Sequence, residues 1–230
     1  MVNTADQARR QLAAALAKGF DAGISPQTNA TLNRELRHSA VLILFGALDQ
    51  VPAAPNGVPV VSTELDVLLT RRADHMRHHP GQIAFPGGGV ESGDANLEQT
   101  ALREAAEETG LDPAGIEIID TMPAIHIPVS NNLVTPVIGW WRLPSPVAAD
   151  HSESVEVFRV PVAELLRPAA RGTSVLRNGA HTFRGAAFEL GPQFGGHIVW
   201  GFTGMLLSSV FEAVGWAEPW DRSREFPITR

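Results

Sequence analysis

The pattern of apolar and polar positions changes period several times along the chain. Leu12, Leu16 and Phe20 fall on one side of a predicted helix over residues 5–20, with Asn3 or Thr4 as its cap. A polar stretch rich in Asn and Thr occupies residues 24–33. Apolar runs at Val41–Leu48 and Leu65–Arg71 read as strands, split by the Pro/Gly-rich segment 52–58. A short run at Gln82–Phe85 leads into Pro86-Gly87-Gly88-Gly89, which breaks the chain direction. A helix is predicted over about residues 96–109, with Gly110 as its C′ residue and Pro113 just beyond. Further strands are predicted at Ile116–Thr121, Leu133–Arg142, Glu156–Val160, His181–Leu190 and His197–Trp200. Within Ile198–Ala217, residues Phe202, Met205, Leu206, Val210, Ala213 and Val214 recur at intervals of three and four, while Ser208, Ser209 and Glu212 interrupt the apolar run. That is a core-facing helix rather than a membrane span. Strands outnumber helices and alternate with them irregularly, which favours α+β or mixed α/β over repeating βαβ units.

Composition narrows this picture. The 230 residues are 44% hydrophobic and 19% charged, enough for a true core and wrong for a disordered, collagenous or coiled-coil chain. The absence of cysteine excludes disulfides, zinc-thiolate and iron–sulfur sites and a thiol nucleophile. The start, MVNTADQARRQ, lacks a secretory apolar region, and Ala40–Leu48 is too short to span a bilayer, so a cytoplasmic protein with no membrane partner is expected. The net charge of −7 offers no field to attract nucleic acid. An anionic substrate would need a local basic patch or a bound cation.

The charge is unevenly placed. Residues 91–108 sum to −5, whereas residues 68–88 sum to +2. On the predicted helix, Glu104, Glu107 and Glu108 fall within one arc of about 100°, with Leu102 and Ala106 opposite and free to pack inward. Arg103 can offset Glu107 at i,i+4, and a hard divalent cation would relieve the rest. An ExxEE run alone is most simply a solvated acidic face; its flanks change that. From Gly89 the segment resembles the Nudix box, G-x5-E-x7-R-E-U-x-E-E-x-G-U with U apolar. Gly89, Arg103, Glu104, Ala105, Glu107, Glu108, Gly110 and Leu111 match, while the early Glu slot falls on Ala95, beside Asp94. Asp94 either substitutes for it or serves as the helix N-cap. The resemblance implies Mg²⁺ or Mn²⁺ on Glu104 and Glu108, with Glu107 binding a second ion or a metal-bound water. It also implies a Nudix-type α/β/α sandwich with a mixed β-sheet.

Immediately upstream, LLTRRADHMRHHPGQIAFPGG carries Arg71, Arg72 and Arg77 against the single acid Asp74. Its three histidines lack a zinc-ligand pattern. Leu68, Leu69, Thr70, Arg72, Ala73, Arg77, Gly81 and Phe85–Gly88 resemble the signature of the coenzyme A pyrophosphatase branch of the Nudix hydrolases, which accepts an Asp at the Asp94 position. Arginine forks suit phosphate oxygens, so Arg72 and Arg77, with Gly88 and Gly89, are the expected substrate-binding residues. Glu153 and Glu156 are similar to an E-x-x-E-V-F segment of that branch, and Ile198–Thr203 to its W-G-x-T element, with core packing the simpler role for Trp200 and Phe202.

The reaction implied is attack of water on a phosphorus of a diphosphate, giving 3′-phosphoadenosine 5′-phosphate and 4′-phosphopantetheine from coenzyme A. Glu104, Glu107 and Glu153 are candidates for the base, and Arg103 completes the catalytic set. Glu104 and Glu108 are both expected on an open face. The alternatives are another Nudix substrate (ADP-ribose, NADH or a nucleoside triphosphate) and a non-catalytic nucleotide-sensing domain. The expected organisation is a helical extension over 1–34, a Nudix domain over 35–217 and a tail over 218–230. The first helix is free to cover a sheet edge, pack on its own core or pair with a second subunit as a homodimer.

Overall fold

The computed structural model describes residues 4–19, 36–47, 61–76, 79–128, 130–179 and 181–229. Phe20, the stretches 24–33 and 52–58, Leu48, Arg77 and His78 lie outside the described residues. Thr4 caps helix α1 (Ala5–Leu16) by accepting a hydrogen bond from the Gln7 N–H. Strands β1 (Arg37–Ala47), β2 (Leu65–Arg72), β3 (Ile83–Ala84) and β4 (Gly87–Gly89) lead to helix α2 (Leu97–Thr109). Then come β5 (Ile116–Thr121), β6 (Ile125–Ile127), β7 (Asn132–Trp141), β8 (Ser154–Pro161) and the short helix α3 (Val162–Leu166). The last third holds β9 (Arg171–Asn178), β10 (His181–Glu189), β11 (Ile198–Val199), α4 (Gly201–Val214) and β12 (Glu225–Ile228).

The main sheet runs β3-β2-β1-β7-β5, with β4 on β1, β6 on β7 and β8 on β2. The β1–β7 pair is parallel and its other pairs are antiparallel, so the sheet is mixed. Both faces of its centre are buried. Ala40, Leu42, Leu44, Leu68, Val137 and Trp141 pack with Ala101 and Ala105 of α2 on one face. Ile43, Phe45, Val67, Leu69, Ile138 and Trp140 meet α1 and α4 on the other. The period of two along β1 thus feeds two cores at once, and helices on both faces make the α/β/α sandwich.

Helix α1 packs on its own chain. Ala8, Leu12 and Leu16 are buried in the same core as α4, and Gln11 accepts a 2.7 Å hydrogen bond from the indole of Trp216. Within α4 the inward face is Thr203, Leu206, Leu207, Val210 and Phe211, rotated from the expected stripe; Ala213 is exposed. This helix is apolar almost all round because a second sheet, β11-β10-β9-β12, also packs on it. This second sheet, with β9 and β12, goes beyond the single mixed sheet that the sequence implies. No helix among the described residues is long and apolar enough to cross a membrane.

Candidate active site

Helix α2 begins at Asn96, whose side chain accepts a 2.8 Å hydrogen bond from Gln99 N–H. Asp94 is therefore not the cap. Its carboxylate, 2% exposed, receives Arg103 Nε and Nη2 at 3.0 Å each, Thr100 Oγ1 at 2.8 Å and Glu91 N–H at 2.9 Å. The Arg103 hydrogen bonds, then that of the Glu91 backbone, hold this carboxyl well below the usual carboxylate range. So anchored, Arg103 reaches Glu104 at 3.0 Å, Glu107 at 3.2 Å and the Gly89 carbonyl at 2.9 Å. One guanidinium fastens the glycine turn to the acidic face of the helix.

The packed face of α2 differs from the one expected. Its buried residues are Thr100, Ala101, Ala105, Glu108 and Thr109, with Leu102 and Ala106 only partly buried. The inward direction is turned toward Glu108, so the acids span a gradient of burial rather than an open face. Glu107 is 59% exposed, Glu104 16%, and Glu108 as a whole residue only 4%. Burial pushes the Glu108 carboxyl up to about 8; Arg72 opposes this, while Glu104, Glu153 and Asp150 add to it. Burial also raises Glu104, against the hydrogen bond and charge of Arg103. The α2 helix closes at Gly110, whose φ of +69° is the left-handed conformation that glycine adopts without strain.

A bulge in the β2–β8 pairing decides what faces Glu108. Arg71 pairs with Glu156, but Arg72 pairs with Ser154, leaving Val155 as the extra residue. Paired residues share a face, and neighbours alternate. Arg71 therefore meets Glu156 at 3.4 Å on one side. Arg72 and Ser154 turn to the other, where Ser154 Oγ donates to Glu108 Oε2 at 3.4 Å. Arg72 Nε is buried there without a hydrogen-bond partner. Glu153, exposed on the loop entering β8, acts electrostatically on both Glu104 and Glu108. The bulge thus puts Ser154 and Glu156, two apart and on one face of a regular strand, on opposite sides, with Glu153 on the loop before them. Of the two acids the sequence presents as a pair, Glu156 belongs with Arg71 and His197, whose Nε2 is 3.7 Å away.

The NUDIX domain family matches residues 53–177. The uncharacterized Nudix hydrolase NudL of Salmonella paratyphi B is 36% identical over 196 residues, 84% of this chain and 90% of that one. Its counterpart from Enterobacter sp. (strain 638) is 36% identical over 159 residues, 69% of this chain and 80% of the relative. The chain belongs to the Nudix hydrolase family. Among solved structures, the Nudix hydrolase RenU of M. Smegmatis aligns with 56% of this chain and 73% of that one, at 26% identity and a TM-score of 0.42.

As a Nudix pyrophosphohydrolase, the protein needs its acids to tolerate one another. Two observations bear on whether they suit a divalent cation. Glu108 is a buried acid whose hydrogen bond is a long one, from the Ser154 hydroxyl. The Glu104 carboxylate lies where side chain is missing from the turn: a Cβ on Gly88 would sit 2.4 Å from its Cδ. Two hard oxygen donors, their charge only partly offset by Arg103 and Arg72, beside an open glycine backbone fit a divalent cation. Among the described residues no three acidic or histidine side chains converge on one point, so Glu104 and Glu108 are the pair that bears on a cation here.

The structure brings together Arg72, Gly88, Gly89, Arg103, Glu104, Glu107, Glu108 and Glu153 along the second half of α2; Arg77 lies outside the described residues. Sequence reasoning missed the anchoring role of Asp94 and the parts of Ser154 and Asp150. Asp150-His-Ser-Glu-Ser carries an Asx-turn signal that marks a shaped loop, but nothing in it places the loop beside Glu108.

Proposed function

We propose that this Nudix hydrolase cleaves the diphosphate of coenzyme A or its acyl derivatives, yielding 3′-phosphoadenosine 5′-phosphate and 4′-phosphopantetheine or its acyl form. The observation that carries the reading is Arg72: a guanidinium with a buried, unpaired Nε, beside Glu108, on the strand that also holds the coenzyme A-like LLT-x-R-A pattern. A fixed cation with hydrogen-bonding capacity to spare suits a phosphate oxygen. Arg77, four residues after Ala73 in the same pattern, is its expected companion.

Glu104 and Glu108 would hold a divalent ion, with Glu107 at its outer side. When bound, the ion lowers the pKa of a coordinated water and offsets charge on the diphosphate oxygens. The chain's own residues do the remainder. Arg72 orients the diphosphate and balances its charge. Glu153 accepts the proton from the attacking water as the new P–O bond forms and the bridging P–O bond breaks. Arg103 keeps Glu104 aimed, and Asp94 keeps Arg103 in place.

The test is Mg²⁺- or Mn²⁺-dependent release of the two phosphorylated products from coenzyme A, followed by chromatography beside ADP-ribose, NADH and a nucleoside triphosphate. Preferred turnover of coenzyme A is expected. Hydrolysis of ADP-ribose or NADH with coenzyme A left intact would overturn the substrate assignment while leaving the metal and base assignments standing.

A further inference from the structure

We infer that Asp150, outside the Nudix box and the arginine pattern, is a positioning residue that aims Glu153 at the reacting water. The inference rests on the proposed role of Glu153. The Asp150 carboxylate accepts hydrogen bonds from Glu153 N–H at 3.3 Å to each oxygen, from Ser154 N–H at 2.9 Å and from the Ser152 hydroxyl. Its own backbone N–H donates at 3.2 Å to the Glu108 carbonyl, and Ala148 N–H donates at 2.9 Å to that of Thr109. These carbonyls end α2 and lack partners within the helix. The loop is therefore bonded to the last turn of the acidic helix on one side. On the other, the Glu153 carbonyl accepts a 2.8 Å hydrogen bond from Ala73 N–H, next to Arg72.

Glu153 is thus clamped at both backbone groups, by Asp150 at its N–H and by Ala73 at its carbonyl. The turn between requires His151 at φ +64°, a left-handed conformation rare outside glycine, held by a 2.9 Å bond from His151 N–H to the Ser154 carbonyl. A side chain that gathers backbone donors around such a residue selects one loop conformation among many. Its effect falls on Glu153 in particular, because that side chain is exposed and no buried packing fixes it. Asp150 is itself exposed and belongs to neither hydrophobic core, so its removal leaves the sandwich intact.

The experiment is a double-mutant cycle read by steady-state kinetics with Mg²⁺, on whichever diphosphate the wild-type enzyme turns over. Asp150→Ala is expected to lower kcat by about 10- to 100-fold, the scale of a catalytic group misplaced by about 1 Å. KM, Mg²⁺ affinity and melting temperature should stay near wild type. Asp150→Asn, whose amide oxygen still accepts backbone hydrogen bonds, should recover most of the loss. In a Glu153→Gln background, Asp150→Ala should add nothing. Multiplicative losses in the double variant, wild-type kcat in Asp150→Ala, or no recovery in Asp150→Asn would each overturn the inference. Wild-type kcat in Glu153→Gln would remove its basis. Absence of coenzyme A turnover beside turnover of another diphosphate would sink only the substrate assignment, since the cycle is then read on that other substrate.

Discussion

Replacing Glu108 by Gln keeps the shape of a residue that is 4% exposed and removes its charge. Burial lifts this carboxyl from its ordinary 4.5 to about 8. A shift of that size corresponds to about 5 kcal/mol between the charged and neutral forms. The folded protein binds this proton more tightly than the unfolded chain does. The resulting stability is therefore complete below about pH 4.5 and is lost as pH rises through about 8. Without metal, the wild-type protein should lose up to about 5 kcal/mol relative to Glu108→Gln between acid and alkaline pH, a difference on the order of 10 °C in Tm for a chain of this size. A divalent ion reverses the balance because it requires the carboxylate. Mg²⁺ should stabilise the wild type more at pH 9 than at pH 6, with release of about one proton per ion at the lower pH, and both effects should vanish in the variant. Thermal melts followed by circular dichroism at pH 5, 7 and 9, with EDTA or with Mg²⁺, read all of this. Parallel Tm-against-pH curves for the two proteins in EDTA would refute the placement of an uncompensated buried acid at the site.

Gly88→Ala should lower kcat by about 100-fold, because the new Cβ would sit 2.4 Å from the Glu104 carboxylate carbon and turn it aside; wild-type kinetics would show that Glu104 works from another position. Asp94→Ala should free Arg103 and lower kcat/KM by about 10- to 100-fold, with Asp94→Glu expected to recover part of it. Arg72→Ala should raise KM for the diphosphate substrate, and Arg72→Lys should fail to restore it because an ammonium lacks the planar fork; unchanged kcat/KM in both would end the phosphate-clamp reading. Leu12→Ala, at a fully buried position of α1, should cost about 2–4 kcal/mol in urea unfolding with kcat retained. A negligible loss would mean that α1 does not contribute to the common core.

Local pattern carried far where it was strict. The alternation along β1 follows from strand geometry, and its two apolar faces already call for layers on both sides. Helix α2 was legible from its glycine stop and its acids. Strand β9 was not, because Arg171 opens it. That residue is buried by contacts no local pattern announces: a 2.9 Å bond to Ser208 of α4, and Trp220, whose ring centroid lies 5.0 Å from the guanidinium. Strand β12 carries Pro227 and pairs on one side only, with β9, a position that tolerates a missing N–H.

For the site, sequence by itself determined the ingredients. It placed three carboxylates on one arc of a helix, a glycine turn before it and an arginine-rich strand end ahead of both, because these spacings are short and set by helix and strand geometry. Only the tertiary structure decided which acid is buried, since the inward direction of α2 depends on the sheet beneath it. It alone gave Asp94 to Arg103 rather than to the helix cap. And it alone put Ser154 beside Glu108 while Glu156 went to Arg71, because the bulge at Val155 reverses which side of the strand Ser154 serves, and register between distant strands is a property of the folded sheet.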